Sequence, residues 1–258
     1  MDIEGDEFLV RIESQYRAYS DDELKAFSSS IERIISNVEL KVVFQPLVDL
    51  KTATVFAYEA LARDTSGSFV SPATMFEAAA AIGRSGELGR VLRELAVVEC
   101  THQRLFLNVH PNEFLLLRRD DPIFVHGERI YLELTESVPM EHPEDCHRVL
   151  NDARKHGVRL AVDDLGAGYS NLKYISDLQP EVVKLDRQLI SGLTGGTRLH
   201  QLVTSIVNLS VDMGAKVVAE GIETPEELQA VIDTGAHYGQ GFLLARPASP
   251  PPLPYWPF

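Results

Sequence analysis

Several things are scarce in this 258-residue chain, and each shortage narrows what it can be. Cysteine appears only as Cys100 and Cys146. Neither has a second thiol or a histidine at metal spacing, so a disulfide scaffold and a thiolate zinc site are both excluded, and two buried free thiols are expected. Positive charge is short as well. Lys and Arg number 24 against 38 Asp and Glu, a formal charge of −14. Binding to a nucleic-acid polymer needs a surplus of cations to displace phosphate counterions, and this chain has none. A small anionic substrate remains open, because bound metal ions can reverse the field inside one pocket. No apolar run reaches the length that spans a bilayer. The start, Met1-Asp2-Ile3-Glu4, is acidic and lacks the basic and apolar regions of a signal peptide, so a cytoplasmic protein without a membrane partner is expected. Finally, there is no P-loop and no G-x-G-x-x-G, since Gly166-Ala167-Gly168 continues without the third glycine.

What is present is an alternation of short apolar and amphipathic segments. After an acidic lead over residues 1–21, the residues from Asp21 to Ser36 read as a helix. Strands are expected at Val42–Leu50, Val55–Ala62, Leu105–Val109, Ile130–Leu134, Leu160–Val162, Val182–Leu185, Val217–Ala219 and near Gly239–Phe242, each rich in Val, Ile, Leu or Phe. The helices between them are punctuated. Ser71-Pro72 reads as an N-cap followed by proline in the first turn, and Thr224-Pro225-Glu226-Glu227 adds a capping-box glutamate. Gly157, Gly214 and Gly235 stand where helices end before strands. The tail from Pro247 to Phe258 holds six prolines and is expected to run irregularly over the surface. About eight strands with intervening helices in this length is the pattern of an α/β (β/α)₈ TIM-like barrel, and without a dinucleotide fingerprint the doubly wound sheet is the weaker competitor.

The charged residues carry the functional signal. Six of the eight segments are expected to end in an acid, amide or lysine: Glu59, Asn108, Glu133, Asp163 with Asp164, Lys184 and Glu220, with Gln240 in the eighth. A single acid there is ordinarily a helix cap or a solvated loop residue. A polar group at the same end of nearly every strand is different, because parallel barrel strands open onto one face and the side chains would converge. Two carboxylates about 4 Å apart repel by roughly 4 kcal/mol at an effective dielectric near 20. Five in one pocket therefore call for cations. The donors are all oxygens, which selects Mg²⁺ or Mn²⁺, and the adjacent acids Asp163 and Asp164 suit two ions. Lys184 could stabilise developing phosphoryl charge or help activate a water. The chemistry reached this way is metal-assisted phosphoester hydrolysis with no substrate named.

These residues also lie in motifs. In order they are Phe44-Gln45-Pro46, Tyr58-Glu59-Ala60-Leu61-Ala62-Arg63, Asn108-Val109-His110-Pro111, Glu133-Leu134-Thr135-Glu136, Asp163-Asp164-Leu165-Gly166-Ala167-Gly168, Val183-Lys184-Leu185-Asp186, Ala219-Glu220-Gly221-Ile222-Glu223 and Gln240-Gly241 with Pro247 beyond. The set resembles the EAL family of cyclic-di-GMP phosphodiesterases over roughly residues 22–248, with 249–258 as a tail. The resemblance implies a barrel whose first strand is antiparallel, and hydrolysis of cyclic-di-GMP to linear pGpG, which lowers the second messenger. It implies two Mg²⁺ or Mn²⁺ ions, the first on Glu59, Asn108, Glu133 and Asp163, the second on Asp163, Asp164 and Glu220. Lys184 would contact the attacking water and Gln240 would help position it. Lys184 and Glu220 both remain open as the base. Gln45, Leu61, Arg63, Asp186 and Pro247 would contact substrate, Glu136 would anchor the loop after the Asp pair, and Glu223 would stand behind the ligands. A homodimer and a regulatory protein partner are implied too. Leu165 and Ala167 depart from the family's common Asp-Asp-Phe-Gly-Thr-Gly, and Ala62 from a frequent leucine. None removes a ligand, so altered regulation is the expected consequence. The alternative function is a non-catalytic cyclic-di-GMP receptor or interaction module. An unrelated metal-dependent barrel acting on other phosphates is the third reading.

Overall fold

The computed structural model describes residues 19–109, 117, 121–135, 143–166 and 173–258. The chain enters on α1 (Asp21–Ser36), closed at its start by a Ser20–Glu23 capping box. A long hairpin follows, β1 (Leu40–Asp49) and β2 (Thr54–Asp64), then α2 (Pro72–Ala81), α3 (Ser85–Glu99) and β3 (Leu105–Asn108). The short α4 (Pro122–Val125) and one 3₁₀ turn lead to β4 (Ile130–Thr135), then α5 (Pro143–Lys155), β5 (Arg159–Leu165), α6 (Lys173–Leu178), β6 (Val182–Leu185) and α7 (Arg187–Ile190). The last elements are α8 (Arg198–Asp212), β7 (Lys216–Ala219), α9 (Pro225–Asp233) and β8 (Tyr238–Gly239). Both expected N-caps form, with Ser71 accepting from Thr74 N and Thr224 from Glu227 N. The three helix-ending glycines take left-handed φ between +83° and +87°.

The eight strands close in sequence order into a barrel. Strand β1 is antiparallel to both neighbours, β2 and β8, while every other pairing is parallel. The TIM-like barrel with an inverted first strand is therefore as expected. Several boundaries differ; β5, for one, runs Arg159–Leu165 where Leu160–Val162 is expected. Strand β2 runs five residues past Glu59, because the β1 hairpin offers it partners from Leu40 to Asp49; Glu59 lies within a strand rather than at its end. Strand β8 is only Tyr238–Gly239.

Side-chain period decides what lies inside. Leu105 and Leu107 pack outward against the helices with Leu132, Leu134, Leu160 and Val162, as do Val183, Leu185, Val217 and Ala219 on the opposite side. The alternate residues Leu47, Ala57, Phe106, Tyr131, Ala161, Val182 and Val218 form the barrel's inner layer, with Tyr238 packed against it. Aromatic rings floor this layer: Phe106 stacks on Tyr131 with centroids 4.4 Å apart.

The proline-rich tail has no regular structure but is fastened. Ala248 bridges Phe44 in both directions, the Tyr58 hydroxyl donates to Pro252 O at 3.0 Å, and Tyr255 N donates to Leu244 O at 2.7 Å. Cys100 is buried and free, while the Cys146 side chain, Glu136 and Ala167 lie outside the described residues. Among the described residues, no helix is long and apolar enough to cross a membrane.

Candidate active site

Strand period two has a direct consequence for the site. Two residues beyond each inner-layer position, toward the end where the parallel strands finish, the same face of each strand presents Gln45, Glu59, Asn108, Glu133, Asp163, Lys184, Glu220 and Gln240. One apolar layer thus carries one polar layer, with a contribution from every strand or the residue just past it. Gln45 joins from β1 only because that strand runs backwards, so its polar position precedes its apolar one.

Lys184 sits at the centre and is 1% exposed. Its Nζ lies 2.5 Å from Glu133 Oε1, 2.6 Å from Glu220 Oε1, 3.3 Å from Asp163 Oδ1 and 3.6 Å from Glu59 Oε2. One ammonium faces four carboxylates, so the cluster holds a surplus of negative charge. Burial and the neighbouring acids push proton affinities up: Glu133 well above its ordinary range, through burial and then Glu59; Glu220 likewise, through burial and then Asp163; and Asp163 itself. Burial pulls Lys184 down, but Asp163, Glu133, Glu220 and Glu59 outweigh it and hold the ammonium protonated.

The second acid pair depends on a local irregularity. Consecutive strand residues face opposite sides, so Asp163 and Asp164 should diverge. Between Val162 and Leu165 the pairing with β6 slips by one residue, and Asp164 adopts left-handed φ of +59°. This bulge turns the second carboxylate back, and ligand atoms of Asp163, Asp164 and Glu220 lie within 4.8 Å of one another. The residues fit a divalent-cation centre. The donors are oxygens, and the buried Glu133 Oε2 and Gln240 Oε1 have no hydrogen-bond partner among the described residues.

Of the residues expected to contact substrate, Gln45 is in the cluster. Its Nε2 donates to Ala245 O at 3.0 Å and its Oε1 accepts from Gln240 Nε2 at 3.1 Å. Leu61 and Arg63 continue the inward face of β2 beyond Glu59 and are half-buried. Asp186 caps α7, accepting from Gln188 N at 2.8 Å. Pro247 is half-buried beside the Ala248 bridge. Glu223 pairs with Arg187 at 3.0 Å rather than with the acid cluster. Gly221, with φ +70°, lets the chain turn over Arg187; a Cβ there would lie 2.4 Å from Arg187 Cγ.

Two features escaped the sequence. Glu227 was read only as a helix cap, yet its Oε1 also accepts from Gly192 N at 2.8 Å, across 35 residues, and ties together two connections at the mouth. Arg246 lies over the half-exposed Phe242 ring at 4.4 Å, the two standing six and two residues past Gln240; an irregular segment has no period to reveal that pair.

A family model described as the EAL domain matches residues 28–247. A cyclic di-GMP phosphodiesterase of Pseudomonas aeruginosa is 31% identical over 245 residues, covering 88% of this chain and 42% of that protein. A probable cyclic di-GMP phosphodiesterase of Escherichia coli is 27% identical, covering 84% of this chain and 44% of that protein. The chain thus spans less than half the length of these curated relatives. Among solved structures, a manganese and cyclic-di-GMP complex of BlrP1 from Klebsiella pneumoniae superposes with a TM-score of 0.71 at 29% identity, over 81% of this chain and 56% of that one. An EAL enzyme with cAMP and cyclic-di-GMP bound gives 0.76 at 25% identity, over 88% and 66%.

Proposed function

The chain belongs to the EAL domain family, and on that premise we propose that it is a divalent-metal-dependent phosphodiesterase that hydrolyses cyclic-di-GMP to linear pGpG. The observation that carries this reading is the polar layer itself: four carboxylates around one buried ammonium, directly above an apolar barrel floor. In this reading Glu59, Asn108, Glu133 and Asp163 hold one Mg²⁺ or Mn²⁺ ion, and Asp163, Asp164 and Glu220 a second. When bound, the ions supply positive charge for the phosphoryl oxygens and acidify a water.

The remaining roles belong to the chain's own groups. Lys184 lies within reach of all four carboxylates and is suited to donate to the attacking water or to the phosphoryl oxygen that gains charge. Glu220 is the most open of the acids around it, with 19% of its side chain exposed against 0% for Glu133. It is the carboxylate best placed to take a proton from water arriving at the mouth. In this reading Gln45, Leu61, Arg63, Asp186 and Pro247 contact the substrate, and Arg63 supplies a guanidinium suited to a phosphate or a guanine edge. The same reading extends to a cytoplasmic homodimer controlled by a regulatory protein partner.

Pure protein incubated with cyclic-di-GMP and Mg²⁺ or Mn²⁺ should release pGpG, and Glu59→Ala should abolish release. Absence of product with either ion removes the proposal. Dinucleotide binding in calorimetry without turnover would assign the chain to the receptor class instead.

A further inference from the structure

The segment from Pro247 to Phe258 differs in kind from the rest of the chain. It holds six prolines and no Asp, Glu, Lys or Arg, in a chain whose residues are 24% charged. Proline fixes its own φ at about −65° and pushes the residue before it out of the helical region into extended geometry. Ser249, Pro250, Pro251, Leu253 and Trp256 each precede a proline. Local sterics therefore favour polyproline II, an extended helix of about three residues per turn without internal hydrogen bonds. The fold agrees. Residues 251–258 take no helix, strand or turn, and their hydrogen bonds run to other parts of the barrel.

One side of this segment is anchored. The Tyr58 hydroxyl, on a side chain buried in the core, donates to Pro252 O at 3.0 Å, and Tyr255 N donates to Leu244 O at 2.7 Å. The Trp256 ring packs against the cluster that contains Leu50, Ile222 and Leu244. The other side is open. Leu253 is 84% exposed, Tyr255 63% and Phe258 62%. The carbonyls of Pro251, Leu253 and Pro254 accept no hydrogen bond from a described residue. Three exposed apolar side chains within six residues form a patch rather than scattered surface positions. Because the barrel already holds the backbone, little conformational freedom remains to be lost when something binds there.

We propose that residues 250–258 are a docking segment for a partner protein that reads polyproline II through a groove lined with Trp and Tyr. The chemistry selects that occupant. A segment without charge offers nothing to an ionic surface, whereas proline rings lie flat on aromatic faces and Leu253 fills an apolar pocket. The open carbonyls accept from indole N–H or phenol O–H groups of the groove. The assignment does not depend on the phosphodiesterase reading.

The test titrates the full chain with a purified SH3 domain and with a purified WW domain, two readers of this class, in a calorimeter. At least one should bind, and Leu253→Ser should weaken that binding by about tenfold or more, the loss of one leucine side chain from a pocket. Tyr255→Ser should weaken it as well. Both side chains stand largely in water, so the melting temperature of each variant should stay within about 1 °C of wild type. Binding by neither domain overturns the proposal, and so does binding that Leu253→Ser leaves unchanged. Sedimentation velocity and flotation with phosphatidylcholine vesicles, run without the domains, test the other occupants. A dimer that Leu253→Ser disrupts gives the surface to a second copy of the chain, and vesicle binding lost in that variant gives it to a lipid surface. Either result overturns the assignment to a proline-reading protein.

Discussion

Replacing Glu227 with alanine removes an acceptor shared by three backbone donors. Gly192 N reaches Oε1 at 2.8 Å, and Glu223 N and Thr224 N reach Oε2 at 2.8 and 3.1 Å. Gly192 lies between β6 and α8, and Glu223 and Thr224 between β7 and α9, so one carboxylate joins the two connections that flank Lys184 and Glu220. Each part-buried amide left without its partner costs about 1 kcal/mol, at the lower end of the range for a charged acceptor, so the loss sums to roughly 3 kcal/mol. For a chain of this size that lowers the melting temperature by about 6 °C. The pH dependence follows from the same bonds. Burial works against the charge, but the three amides and the Thr224 hydroxyl outweigh it and hold Glu227 below its ordinary 4.5. A depressed folded value means the stabilisation is complete above 4.5 and disappears as pH falls through the lower, folded value. Melting curves of wild type and Glu227→Ala should therefore differ most at neutral pH and draw closer together in acid. Turnover should fall as well at temperatures where the variant is folded, because Glu220 precedes the loosened turn. A gap below about 1 °C at neutral pH, or one that persists unchanged in acid, would refute the argument.

Three further outcomes are expected. Glu133→Gln should abolish pGpG formation yet raise the melting temperature in EDTA above neutral pH; the raised proton affinity of Glu133, from burial and then Glu59, means its ionisation destabilises the metal-free fold as pH climbs. Gly221→Ala should cost about 2 kcal/mol by denaturant titration, combining a left-handed φ with a clash against Arg187, and should reduce turnover through the adjacent Glu220. Val38→Gly should raise stability by about 0.5–1 kcal/mol, because Val38 holds a β-branched side chain at φ +52° while half-exposed, so little packing is lost.

The sequence by itself determined the barrel and most of its polar layer. Strand identity follows from short Val, Ile and Leu runs buried on both faces, and a barrel opens all its parallel strands onto one end, so Asn108, Glu133, Asp163, Lys184 and Glu220 could be gathered on paper. The inverted first strand came from resemblance, not from pattern, since a buried run reads the same in either direction. Tertiary structure alone decided three other things. It extended β2 to Asp64, past the expected end at Ala62, because hairpin length depends on the partner strand. It brought Asp164 to the same side as Asp163, because a one-residue bulge and a positive φ are paid for by the surrounding pairing and leave no mark on composition. And it set the hydrogen-bond partners of Gln45 and Glu227, which lie 200 and 35 residues away: a hydrogen bond depends on distance in space, which a one-dimensional chain does not contain.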